Sequence, residues 1–191
     1  MKRIGIFGGS FNPIHNGHLG LAGAFVARRW VDEVWLMVSP QNPLKQHAGL
    51  MDENVRLELA RLAVEGVSGV QASDFEFHLP RPSYTWRTLA ALEETFPDDV
   101  FVLIMGADNW QIFPQWKKAA DLLRRYEIIV YPRPGIAVDA SSLPEHVRLF
   151  DAPLFPWSST EIRQRLHAGL PIDGMVPEAV ARVIRERHLY E

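Results

Sequence analysis

The feature that most constrains the fold is a repeated change of period along the chain. Short apolar runs at 3–7 (RIGIF), 34–39 (VWLMVS), 100–105 (VFVLIM) and 127–131 (EIIVY) are rich in Val and Ile and bounded by Gly, Pro, Asp or Ser. Runs of this length and make-up predict strands buried on both faces. Amphipathic stretches lie between them. After Asp52, residues Val55, Leu59, Leu62 and Ala63 recur on one helical face, with Arg56, Arg61 and Glu65 outside it. Ser83 is placed to cap a helix that turns Trp86, Leu89, Ala90 and Phe96 inward. Residues 17–30 and 116–125 read as two further helices. Strands alternating with helices predict a parallel sheet covered on both faces, with ligands at the carboxyl ends of the strands.

The last third departs from this alternation. Pro132, Pro134, Pro144, Pro153 and Pro156 interrupt it until Ser158, where SSTEIRQRLHAGL begins a capped helix that Gly169 can close. Pro177 then opens a final helix carrying Val180, Val183 and Ile184. No linker or charge block sets this region apart. The expected fold is therefore α/β: a Rossmann-like doubly wound parallel sheet with helices on both faces and a C-terminal helical appendage, in one domain spanning 1–191. A hydrophobic content of 47% with 23% charged residues fits a soluble globular chain. A net charge of -3 gives no reason to expect broad affinity for nucleic acid or membranes. The absence of cysteine excludes disulfides, thiolate catalysis and cysteine-zinc sites. No apolar run approaches the roughly 18 residues of a membrane span and residues 1–20 lack the pattern of a signal peptide, so a cytoplasmic location is expected.

The chemistry concentrates in residues 4–20, IGIFGGSFNPIHNGHLG. A strand, a glycine turn and a helix start form an arrangement in which backbone N–H groups converge on an anion. Neither a Walker loop nor GxGxxG is present. His15 and His18, at i and i+3, can face one point. Three roles fit them: local capping, a shared metal ion for which no third ligand is evident, or paired donors on phosphate oxygens. The last would set a charge-assisted clamp where negative charge grows during phosphoryl or nucleotidyl transfer. Ser158 and Glu161 have capping-box spacing, while the hydroxyls of Ser158, Ser159 and Thr160 with Arg163 also suit a polyphosphate. Met105-Gly106-Ala107-Asp108 follows a strand directly. Gly106 is placed there for close approach of a base or ribose, and Asp108 to accept from a ligand or to cap a helix. Of the six tryptophans, Trp116 stands between Pro114 and Lys117-Lys118, where its face could stack a flat heterocycle; Tyr84 and Thr85 could line the same pocket.

Taken together these stretches resemble one family. GIFGGSFNPIHNGH looks like the signature of the HxGH nucleotidyltransferase superfamily, and SSTEIR resembles its second, ATP-phosphate motif. Within it, PSYTWRTL, MGADNWQIFPQW, PRPG and VPEAVARVIRERHLY resemble the bacterial nicotinate-nucleotide adenylyltransferases. The resemblance implies a nucleotidyltransferase domain that moves AMP from ATP to nicotinate mononucleotide, giving deamido-NAD and pyrophosphate in NAD biosynthesis. It implies that His15 and His18 bind ATP phosphates and stabilise the transition state, and that Gly8, Gly9, Ser10 and Phe11 border the nucleotide. Ser158, Ser159, Thr160 and Arg163 would hold the phosphates, Gly106 and Asp108 would lie beside both nucleotides, and Tyr84, Thr85 and Trp116 would surround the nicotinate base. Mg2+ would arrive with ATP, without a protein metal site, and the partners would be the two nucleotides, with a homo-oligomer possible and neither nucleic acid nor membrane.

Two positions depart from the family pattern. Asn12 stands where many members have Asp, and Leu44 interrupts a Pro-His-Lys pattern whose Lys45 could reach a phosphate of the mononucleotide. The alternatives of the same fold are nicotinamide-nucleotide and phosphopantetheine adenylyltransferase, the second of which usually has Thr where His15 stands. A non-catalytic nucleotide-binding module is the rival from another class, and groups aimed at transition-state charge argue against it.

Overall fold

The computed structural model describes residues 1–40 and 49–191. All four apolar runs form strands, as β1 (Arg3–Gly9), β2 (Glu33–Val38), β4 (Val100–Gly106) and β5 (Ile128–Tyr131); β3 (Val70–Ser73) and β6 (Val147–Leu149) extend the sheet at its edges. Every pairing is parallel and the order is β3-β2-β1-β4-β5-β6. The chain thus starts in the middle, winds outward to β3, returns to β4 beside β1 and winds outward the other way. This is the doubly wound arrangement expected, and its crevice opens where β1 and β4 end side by side.

The register explains the two cores. Side chains alternate across a strand, so Ile4 and Ile6 of β1 join Leu103 and Met105 of β4 on one face, while Phe7 joins Val102 and Ile104 on the other. The first face is covered by Leu89 and Leu92 of α3 (Thr85–Thr95) and Leu122 of α5 (Ala119–Arg125). The second is covered by Phe25 of α1 (Asn16–Ala27) and by Leu59 and Ala60 of α2 (Glu53–Val64). Ile162 of α6 (Ser159–His167) and Val180 and Ile184 of α7 (Glu178–Glu186) complete it. Each fully buried Leu or Ile contributes about 1.5–3 kcal/mol. The C-terminal helices are therefore part of the main core: α7 packs on α2, where Arg187 pairs with Glu58 at 2.7 Å.

Local chemistry sets several boundaries differently from the sequence expectation. Asp52 caps α2, accepting from the N–H groups of Asn54 (2.9 Å) and Val55 (3.4 Å). Ser83 does not cap α3; extended Tyr84 is the residue before the first helical turn. The helix expected at 116–125 begins only at Ala119, because Lys118 is left-handed (φ 59°), and a short helix, α4 (Ala107–Ile112), follows β4 without a loop. Arg56, expected outside the apolar face of α2, is completely buried.

Candidate active site

The turn after β1 is held from three directions. Ser10 C=O accepts from Arg56 Nη1 at 2.6 Å. Asn12 grips the chain at 49–51 with both ends of its amide: Nδ2 donates to Gly49 C=O (2.8 Å) and Oδ1 accepts from Met51 N–H (3.1 Å). From the far end of the sequence, Arg163 Nη1 donates to Asn12 C=O (2.7 Å) and Ser159 Oγ donates to Pro13 C=O (2.9 Å). The amide of Asn12 is thus engaged as donor and acceptor at once, which a carboxylate could not reproduce.

These contacts bring the N-termini of α1 and α6 to one cavity of about 370 Å³ at the switch point of the sheet. Gly8, Gly9, Ser10, Phe11, His15 and His18 line it on one side, Ser158, Ser159, Thr160 and Arg163 on the other, and Asp108 on a third. Sequence reasoning did not single out Ser39, Asn109, Tyr131 and Arg133, which also line it. Arg133 had a signal, since it stands between two prolines directly after the strand β5.

His15 and His18 lie face to face, with ring centroids 3.7 Å apart and planes inclined by 27°. His15 is the residue before α1, and its backbone N–H donates to His18 Nδ1 at 3.2 Å. An accepting Nδ1 puts the His18 proton on Nε2. Phe11 meets the His18 ring edge-on at 5.0 Å. Gly17 packs closely against the His15 ring and the segment before α6: a Cβ there would lie 3.0 Å from the ring and 3.1 Å from Phe155 Cβ, so a side chain would require the neighbours to give by a few tenths of an ångström. His15 is 4% exposed. Burial, reinforced by the positive charge of Arg133, lowers its pKa from 6.5 to about 4. In the free protein, therefore, His15 is neutral at neutral pH rather than charged. Among the described residues no group of three His, Cys, Asp or Glu side chains is arranged to hold a metal.

Gly106 does not line the cavity. A Cβ there would meet Asp108 Oδ1 at 2.4 Å, so the space left by the missing side chain is taken by the carboxylate two residues on. Arg133 Nε lies 3.5 Å from the same oxygen. Tyr84, Thr85 and Trp116 also lie outside the cavity lining, at the starts of α3 and α5. Two lysines join these helix starts: Lys117 Nζ is 4.8 Å from the Tyr84 ring centroid and Lys118 Nζ 3.8 Å from that of Trp86. Trp116 rests on Phe113, with centroids 5.5 Å apart. Lys45 and Leu44 lie outside the described residues.

Residues 6–165 match the cytidylyltransferase-like family. A probable nicotinate-nucleotide adenylyltransferase of Bacteroides fragilis is 48% identical over 185 residues, covering 96% of this chain and 92% of its own length. The nicotinate-nucleotide adenylyltransferase of Bacillus subtilis is 36% identical and is matched over 100% of both chains. The Plasmodium falciparum nicotinic acid mononucleotide adenylyltransferase complexed with NaAD, at 22% identity, superposes with a TM-score of 0.82 over 100% of this chain and 98% of its own, a likeness of fold. The paired histidines at the switch point and the helix start that faces them thus sit in a chain that belongs to the cytidylyltransferase-like family and, within it, to the nicotinate-nucleotide adenylyltransferases.

Proposed function

We propose that the chain transfers the adenylyl group of ATP to nicotinate mononucleotide, giving deamido-NAD and pyrophosphate. The observation that carries this is the convergence of two helix N-termini, tied by Ser159 and Arg163 to the Asn12-Pro13 turn, on one cavity that also holds both histidines. The likeness over the whole chain to nicotinate-nucleotide adenylyltransferases supports the same activity.

The reaction asks for positioning and charge neutralisation more than for a protein nucleophile. A phosphate oxygen of the mononucleotide, ionised at neutral pH, attacks the α-phosphorus in line; the bond from that phosphorus to the bridging oxygen breaks and pyrophosphate leaves. ATP enters as its magnesium complex, with the ion held largely by phosphate and water oxygens. His18 donates from Nε2–H to the triphosphate, and His15 takes up a proton as the anion arrives beside it. Gly8, Gly9, Ser10 and Phe11 form the floor. At the opposite wall, Ser158 Oγ already accepts from Glu161 N–H at 3.1 Å, which leaves the N–H groups of Ser159 and Thr160 at the helix end for the phosphates, beside Arg163. Asp108 sits between the two nucleotide positions. Tyr84, Thr85 and Trp116 receive the pyridine ring, and Lys117 on Tyr84, with Lys118 on neighbouring Trp86, favours a substrate bearing a carboxylate.

The test is product analysis with ATP, magnesium and either nicotinate or nicotinamide mononucleotide. Dinucleotide and pyrophosphate are expected, with nicotinate mononucleotide preferred. No dinucleotide from either acceptor overturns the proposal.

A further inference from the structure

Arg56 does not line the cavity, yet among the described residues it is the largest fully buried side chain, at 0% exposed. Its guanidinium is enclosed by main-chain carbonyls: Met51 accepts from Nε (2.8 Å), Ser10 (2.6 Å) and Ser39 (2.9 Å) from Nη1, and Pro40 from Nη2 (3.4 Å). Ser10 and Ser39 directly follow β1 and β2, so one side chain pins the carboxyl ends of two neighbouring strands. No described carboxylate comes within ion-pair distance of it.

The peptide between Ser10 and Phe11 shows what this pinning does. A trans peptide is planar, with C=O and N–H pointing in opposite directions. Turning the Ser10 carbonyl into the interior toward Arg56 therefore sends the Phe11 N–H the other way, and none of the described residues accepts from it. Phe11 has φ 45°, a left-handed conformation that a residue with a Cβ adopts only when its surroundings hold it there. The Ser10–Asn12 turn lines the cavity.

We propose that Arg56 is a positioning residue for the transfer: its carbonyl cage holds the left-handed turn at Phe11 with the N–H presented to an oxyanion, and its charge, with no described carboxylate at ion-pair distance, lies behind the phosphate cradle. The identity of that oxyanion as a triphosphate rests on the function proposed above. A planar fork of five donors suits the task because three carbonyls from separate segments can be fixed in one plane, which an ammonium cannot do.

The test combines a probe that needs no turnover with a kinetic comparison. Calorimetric binding of inorganic tripolyphosphate is measured on the wild type, Arg56→Met, Arg56→Lys and Arg56→Ala, beside thermal unfolding of each. In folded Arg56→Met, tripolyphosphate affinity is expected to fall by about tenfold, the size of one charge-assisted hydrogen bond. Turnover is expected to fall about 100-fold, as for removal of one oxyanion donor, with the KM for mononucleotide nearly unchanged. Arg56→Lys keeps the charge without the fork and is expected to lose less of each. Added guanidinium ion, below denaturing concentrations, is expected to restore binding and turnover in Arg56→Ala, which leaves a cavity of the right shape, but not in Arg56→Met. Wild-type tripolyphosphate affinity in a folded variant overturns the proposal. So does a loss of turnover that follows the unfolded fraction with no response to guanidinium. If the wild type makes no dinucleotide, the assignment of function fails while the tripolyphosphate comparison still decides the role of Arg56.

Discussion

Lowering the pH should destabilise this protein by an amount of which a defined share traces to one side chain, His15. The unfolded chain protonates His15 at its ordinary pKa of 6.5, whereas burial and Arg133 delay protonation in the fold to about 4. Between these values the unfolded state binds the extra proton, so stability is fully present above pH 6.5 and falls as pH drops toward 4. Two and a half pH units at about 1.4 kcal/mol each give a loss of up to about 3 kcal/mol. That corresponds to about 6–12 °C in melting temperature for a chain of this size. His15→Gln keeps a polar side chain at the start of α1 and cannot titrate. Urea unfolding of both proteins at intervals from pH 7.5 to 4.5 should show a wild-type stability curve that falls more steeply, the difference growing from zero near pH 7.5. Parallel curves would refute the physical account of a buried, neutral imidazole. The same logic predicts that tripolyphosphate binding near pH 6 draws in a proton at His15, seen as a larger buffer-dependent heat in the wild type than in His15→Gln.

Gly8 offers a separation of binding from folding. A Cβ at this position meets nothing within 4 Å, and the residue lies in β1 on the cavity wall. Gly8→Val should therefore melt within about 4 °C of the wild type, within about 1 kcal/mol, while the KM for ATP rises about tenfold or more as the branched side chain fills phosphate space; retained activity would show that ATP binds elsewhere. Glu76, in the short turn Phe75–His78, is buried and accepts from Thr88 Oγ1 at 2.8 Å, and burial raises its pKa above 4.5. A raised carboxyl contributes stability below its unfolded pKa that is lost as pH rises through the folded value, so Glu76→Gln should gain melting temperature relative to the wild type at pH 8 and not at pH 4; equal differences at both would contradict this.

The sequence carried what is local. Four apolar runs announced β1, β2, β4 and β5 because buried parallel strands leave little room for polar residues. VQAS and VRL, as β3 and β6, are short edge strands with one neighbour each and need no such pattern. The two helix starts at the cavity were legible because one follows a glycine turn with paired histidines and the other carries a Ser158–Glu161 capping pair. What places them together was not, since Ser159 and Pro13 are 146 residues apart and a serine that donates to a distant carbonyl looks like any other. Arg56 was misplaced for the same reason: a helical wheel assigns arginine to solvent, and only the fold reveals that carbonyls from three segments converge on it. Asn12, which departs from the family pattern, makes sense only once Gly49 and Met51 are seen at either end of its amide. Trp116 was expected on a helix but lies in the turn before α5, where left-handed Lys118 delays the first helical residue.

The tie between Ser159, Arg163 and the Asn12-Pro13 turn also fixes when the cavity can exist. During synthesis the histidine-bearing loop leaves the ribosome well before its opposite wall, because Ser159 lies 146 residues after Pro13 and the wall is complete only once residue 163 has been added. Contacts that span most of the chain form late in folding, after closure of the long intervening segment. The anion cradle is thus among the last features to be completed, so a nascent or truncated chain ending before α6 can build most of the sheet and still offer no closed pocket in which to trap cellular ATP.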